Sequence, residues 1–128
     1  MTDKPEHELT AEDFKTALLA SRDWITSQQH AMLKAHWLAD NHTITAKQLA
    51  EAAGYPSYEV ANLQYGRLGK TLGPRLPLEP EKRKGGARIW TTILATGDAN
   101  QAAGADFQWV MRPQLVEALR VLPWFKKP

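Results

Sequence analysis

The segment AKQLAEAAGYPSYEVANLQY, residues 46–65, constrains this chain more than any other. Leu49, Ala50 and Ala53 fall on one side of a short helix, and Gly54 stands where the chain must turn. Tyr55 plugs that turn, and Val60 and Leu63 are expected to face back from a second helix. Two helices that cross steeply over a few residues need a small side chain at the crossing, here Ala50. They also need a glycine to take positive φ at the corner. In such a unit the second helix stands proud of the domain.

Start and stop signals give the flanking elements. Residues 1–9 read as a flexible tail and 10–128 as a single domain. Thr10 with Asp13 reads as a helix N-cap with an acid in the first turn, ahead of a helix that buries Phe14, Leu18 and Leu19. Thr26 with Gln29 has capping-box spacing and opens a helical pattern that runs to Asp40. Its broad apolar face holds Met32, Leu33, Ala35, His36, Trp37 and Leu38, and Asn41 and His42 end it. Thr43 to Thr45 are β-prone, and Thr45 with Gln48 can cap the next helix. Pro56 stiffens the turn and Ser57 caps SYEVANLQYGRLGKTL, which breaks near Gly73 and Pro74.

The stretch GPRLPLEPEKRKGG, with evenly spaced prolines and Gly85-Gly86 at its end, reads as a loop or an extended connector. ARIWTTILATG and FQWVMR are β-branched and aromatic, and the small-residue loop between them suits a hairpin. Pro113 opens a last helix with Leu115, Val116, Leu119 and Leu122 on one side, and Trp124 and Phe125 pack back on the body. The expected class is mainly α with a small β-hairpin.

An apolar fraction of 43% argues against wholesale disorder. The absence of cysteine removes zinc fingers, thiol catalysis and disulfide frameworks together, and fits a reducing cytoplasm. MTDKPEHELTAEDF is acidic and polar, unlike a signal peptide, and no apolar run is long enough to span a bilayer. A soluble, cytoplasmic protein without membrane contact is the expectation. Net charge is only +2, but its distribution is uneven. From Arg67 to Arg88 seven cations face two anions, a local +5 that leaves the remainder at −3. Such segregation creates a one-sided field that attracts polyanions; a solvated loop, basic by chance, is the alternative.

The order helix, short strand, helix, turn, helix, hairpin resembles the winged helix-turn-helix family over residues 26–112, with an added N-terminal helix and a C-terminal helix. The resemblance implies a DNA-binding fold, the second helix of the pair in the major groove and the hairpin, or wing, on backbone or minor groove. The Pro-rich basic insert at 73–88 departs from that pattern and bears on how the first wing strand docks. AGYPSYEVANLQYGRLGK, followed by a strand pair ending WVMRP and a Leu-rich helix, also resembles helical modules joined to HNH nucleases in bacterial restriction proteins. The paired histidines and metal cluster of such a nuclease are missing here, so only target reading carries over.

A groove-reading helix needs polar side chains in its N-terminal half, met by Ser57, Tyr58 and Asn62. Asn62 stands out, because its amide can pair bidentately with an adenine edge. Arg67, Lys70, Arg75, Lys82, Arg83, Lys84 and Arg88 are the phosphate-binding candidates. Trp90 and Trp109 lie in expected strands and are assigned to the core, with base stacking as the alternative. A helical wheel over 58–72 gathers Ala61, Tyr65, Leu68 and Leu72 on another side than Val60 and Leu63; both sets are buried if the helix packs on two flanks, which leaves only Asn62, Gly66, Gly69 and their neighbours exposed. Gly66 and Gly69 suit close backbone approach, to another helix more readily than to DNA.

Other chemistries find no support. QYGRLGKT has the end of a P-loop, but Gln64 stands where its first glycine belongs and the stretch reads as helix. His30, His36 and His42, six residues apart, do not stack for a metal and are taken as surface or core-edge residues. Asp98 and Asp106 lack the pattern of a calcium loop, and no catalytic nucleophile motif appears. No enzyme, cofactor or metal is expected. The leading expectation is double-stranded DNA binding, dependent on sequence or base modification, by a small transcription regulator or a restriction- or defence-associated module. The competing one is a non-catalytic protein-interaction adaptor or inhibitor on the same scaffold, which five tryptophans and the Trp124-Phe125 end would suit as interface anchors; the Leu face of the last helix could serve a homodimer or equally cover the domain's own core.

Overall fold

Three capping boxes start the first three helices. Thr10 caps α1 (Ala11–Ser21), Thr26 caps α2 (Ser27–Leu38) and Thr45 caps α3 (Ala46–Ala53). In each, the threonine hydroxyl accepts from the backbone N–H three residues on, and that residue's side chain accepts from the threonine N–H. The pairing satisfies donors that a helix start leaves open. The computed structural model describes residues 8–97, 101 and 104–125. Residues 1–7 of the expected tail and Asp98 lie outside these; Leu9 is half-buried against the core.

Gly54 takes φ 76° at the end of α3, and the Tyr55 N–H donates to the Ala50 carbonyl at 2.9 Å. That left-handed closure is the corner expected from sequence. Ser57 caps α4 (Tyr58–Leu72), which buries Ala61, Tyr65, Leu68, Gly69 and Leu72. Packing on two flanks does not occur: only the wheel's stripe is buried, and Gly69, expected to be exposed, is buried with it. Val60 is half-buried and Leu63 is 55% exposed. At about 100° per residue, Leu63 lies about 200° from both Ala61 and Tyr65, so burying their stripe turns it outward. Leu19, beside the buried stripe of Phe14, Ala17, Leu18 and Ser21, is likewise exposed rather than core, as is Leu38 at the end of α2.

Strand β1 (Thr43–Thr45) is followed, beyond α4, by a separate two-stranded hairpin of β2 (Glu81–Lys82) and β3 (Arg88–Ile89). The insert, expected as a loop or an extended connector, thus contains the strand β2. Gly85 and Gly86 turn the hairpin at φ 102° and 99°, and the Arg83 N–H donates to Ala87 O at 2.7 Å. ARIWTTILATG is not one strand. A 3₁₀ turn at Trp90–Ile93 separates β3 from β4 (Ala95–Thr96). The Thr92 hydroxyl, which accepts from the Glu81 N–H at 2.8 Å and donates to Ile89 O at 2.6 Å, holds that turn to the hairpin. Strand β5 (Gln108–Met111) lies between β1 and β4, antiparallel to both, with Ile44 opposite Trp109 and Ala95 opposite Met111.

The last helix, α5 (Pro113–Val121), packs on α1 and buries Leu115, Val116 and Leu119, so its apolar face covers this chain's own core. Phe125 is buried beside Trp37 and His30. The chain is mainly helical with small antiparallel sheets, and among the described residues no helix is long and apolar enough to cross a membrane.

Candidate nucleic-acid interface

The outer face of α4 carries Asn62, Gly66 and Lys70 at four-residue steps, with Leu63 and Arg67 beside them. All five line a cleft of about 420 Å³. Arg83 and Arg88 come to it from the β2–β3 hairpin, and Trp90, Thr91 and Trp109 complete the lining. Four cations and no carboxylate line this space, so its potential is positive. The Arg88 guanidinium lies 5.8 Å from the Trp90 ring centroid, a cation–π distance that braces the hairpin against the 3₁₀ turn.

Glycines set the wall. A Cβ on Gly69 would run into the backbone carbonyl of Trp90, and one on Gly73 would press on the Trp90 ring. A Cβ on Gly66 would only touch the Thr91 hydroxyl, at 3.6 Å. The expected close approach is therefore real, but its partner is a 3₁₀ turn rather than a second helix. It brings Trp90 and Thr91 onto the cleft.

Two residues of the lining each carry a buried polar atom without a hydrogen-bond partner, Asn62 Oδ1 and Trp109 Nε1. Among the described residues one further such atom, Ser21 Oγ on α1, lies away from the cleft lining, whereas Gln29 Nε2 donates to Gln64 O at 3.1 Å and Trp37 Nε1 to Val116 O at 3.1 Å. Native interiors satisfy most such groups, so an unmatched acceptor and donor in one cleft are unusual.

Trp109 is held through its backbone. His36 Nε2 lies 2.9 Å from Trp109 O, and Nδ1 lies 2.8 Å from the Tyr65 hydroxyl. A carbonyl only accepts, so Nε2 carries the proton and the tyrosine donates to Nδ1. Burial lowers the His36 pKa to about 4 and raises that of Tyr65, which keeps both neutral. His36, expected at the surface or core edge, is fully buried and joins α2, α4 and β5. Its polar ring is tolerated there because both nitrogens have partners.

Of the residues singled out from sequence, Asn62, Arg67, Lys70, Arg83 and Arg88 meet at the cleft. Ser57 is engaged as the cap of α4, accepting from the Val60 N–H at 3.4 Å. Tyr58 is half-buried, its hydroxyl near Gly104. The Arg75 guanidinium stands 5.9 Å from the ring centroid of the exposed Trp24 and donates to Thr71 O at 3.1 Å. Lys82 and Lys84 are exposed on the hairpin, outside the cleft lining. Trp90, expected in a strand, sits in the 3₁₀ turn, and both it and Trp109 pack on the core while lining the cleft. The glycine spacing 66, 69, 73 is the signal that another backbone crosses this face of the helix.

QYGRLGKT is wholly within α4, in helical rather than phosphate-loop geometry. Among the described residues no three His, Asp or Glu side chains group to hold a metal ion. Comparison with protein-family models, with curated proteins and with solved structures finds no match.

Proposed function

We propose that the chain is a double-stranded DNA-binding domain of winged helix-turn-helix type, serving as a small regulator or a target-recognition module. One observation carries this reading. Arg67 and Lys70 from α4 converge with Arg83 and Arg88 from the hairpin around Asn62, in a cleft lined by no carboxylate. The element order supports it: α3, the Gly54 corner and α4 follow β1, and β1 pairs beside the later β4–β5 hairpin. In that arrangement α4 is the helix that approaches the major groove. Asn62 is its base-reading group, and Lys82 and Lys84, exposed on the β2–β3 hairpin, extend the phosphate-binding surface.

Neutralising phosphates releases counterions, so affinity must fall steeply with salt. Gel shifts on random duplex across a salt series test this. The double variant Arg83→Gln, Arg88→Gln should flatten the log–log slope by about two, about one per phosphate contact. Absence of binding at low ionic strength sinks the reading. The adaptor alternative loses one of its anchors, since Phe125 is buried against Trp37 rather than offered to a partner.

A further inference from the structure

The geometry points to a nucleotide-sized site: the cleft between α4 and the β2–β3 hairpin receives one unstacked nucleotide, its phosphate on the arginines and its base edge on Asn62 and Trp109. This rests on the DNA-binding reading for the source of the nucleotide, and on the cleft alone for its chemistry.

Volume is the first argument. About 420 Å³ lies within the range of about 300–1,000 Å³ typical of sites that enclose a small ligand. Polarity is the second. Asn62 Oδ1 is a buried acceptor without a donor, and Trp109 Nε1–H a buried donor without an acceptor. The Watson–Crick edge of every nucleobase sets a donor beside an acceptor, which complements the pair. Charge is the third, for four cations without a carboxylate in the lining suit a phosphate better than a neutral ligand. Support from below is the fourth. The Trp109 carbonyl is tied to His36, and Gly69 lets the Trp90 backbone lie against α4, so both aromatic walls are held before any ligand arrives. A base that reaches either ring gains stacking as well as hydrogen bonds.

Unstacking costs least where a nucleotide is already unpaired, and that sets the test. Two duplexes of one sequence are compared, one fully paired and one carrying a single bulged nucleotide, with the Trp109 indole N–H followed in proton–nitrogen correlation spectra. The expected result is binding about tenfold tighter to the bulged duplex, with a shift of the Trp109 indole resonance. Trp109→Phe keeps a ring and removes the N–H, and should bring the preference close to one. Arg83→Gln, on the exposed hairpin where folding is not at stake, should weaken binding of the bulged duplex.

Equal affinity for both duplexes with an unmoved indole overturns the proposal and leaves the DNA-binding reading standing. If neither duplex binds, that reading fails, and free deoxynucleoside monophosphates decide the cleft. A Trp109 indole shift on adding them keeps a nucleotide as occupant, drawn from solution. No shift removes it.

Discussion

The two faces of α4 treat polar groups in opposite ways. On the inner face the only polar side chain, Tyr65, is fully buried and matched, its hydroxyl bonded to His36, which in turn holds the Trp109 carbonyl. On the outer face Asn62 presents a buried oxygen with no partner, and Trp109 from β5 adds an unmatched N–H to the same cleft. A buried polar group costs stability unless it is paired. The matched set is therefore accounted for by folding alone, whereas the unmatched pair at the cleft is left open to a ligand or a water. The difference separates architecture from function along one helix.

Breaking the matched face should cost most. Tyr65→Ala removes a fully buried ring and strands the His36 Nδ1 acceptor, and is expected to destabilise by about 3–5 kcal/mol in denaturant unfolding. A loss below about 1 kcal/mol would mean that the inner face is not the core it is taken to be.

The same face gives a pH signature. His36 titrates at about 4 in the fold, against 6.5 when exposed, because burial disfavours its charged form. A depressed histidine pKa means that the unfolded chain takes up the proton first as pH falls. Its contribution is then fully present above about 6.5 and is lost progressively down to about 4, where the folded form also protonates. At about 1.4 kcal/mol per unit, the loss approaches about 3 kcal/mol. Unfolding curves at stepped pH should show it in the parent chain, and His36→Phe should remove that part of the slope. If the slope survives in the variant, another group carries it.

Much of this was readable beforehand, and the physics says which part. Local chemistry set the three threonine caps, the Gly54 corner and the Pro113 start, because each partner lies within a few residues. Asn62 and the cations were readable by type, but not their meeting. Arg83 and Arg88 reach the cleft only because a short hairpin forms in the insert, and two-residue strands leave no alternation to detect. Trp109 was assigned to the core because an apolar ring in a strand carries no sign of whether its N–H finds a partner. The break at Trp90 depends on contact with Gly69 and Gly73, which lie in a different element. Leu63 failed for a simpler reason: the turn template gives it a buried flank that the helical period does not.

A pair of glycines tests the boundary between the faces. Gly69→Ala places a methyl against the Trp90 carbonyl, which is backbone and cannot move aside cheaply. The expected cost is about 1–3 kcal/mol, from overpacking that outweighs the gain in helix propensity. Gly66→Ala meets only ordinary contact with Thr91 and should instead stabilise by up to about 1 kcal/mol. Thermal or urea midpoints that move in the same direction for both would contradict the placement of the 3₁₀ turn against α4.

The smallest effect on stability is the most telling about function. Asn62→Leu replaces a buried, unmatched oxygen by an apolar side chain of similar size. Removing an unsatisfied acceptor relieves its desolvation cost, so stability should rise by about 1 kcal/mol or stay level. DNA affinity should fall in the same variant, since the group lost is the base-reading one. Residues kept for architecture lose stability when deleted, whereas one kept for binding shows the reverse sign. If Asn62→Leu unfolds more readily than the parent, its oxygen has a structural partner and the contrast between the two faces collapses. If stability holds and binding drops, the unmatched oxygen is maintained against the interest of the fold, which only a ligand explains.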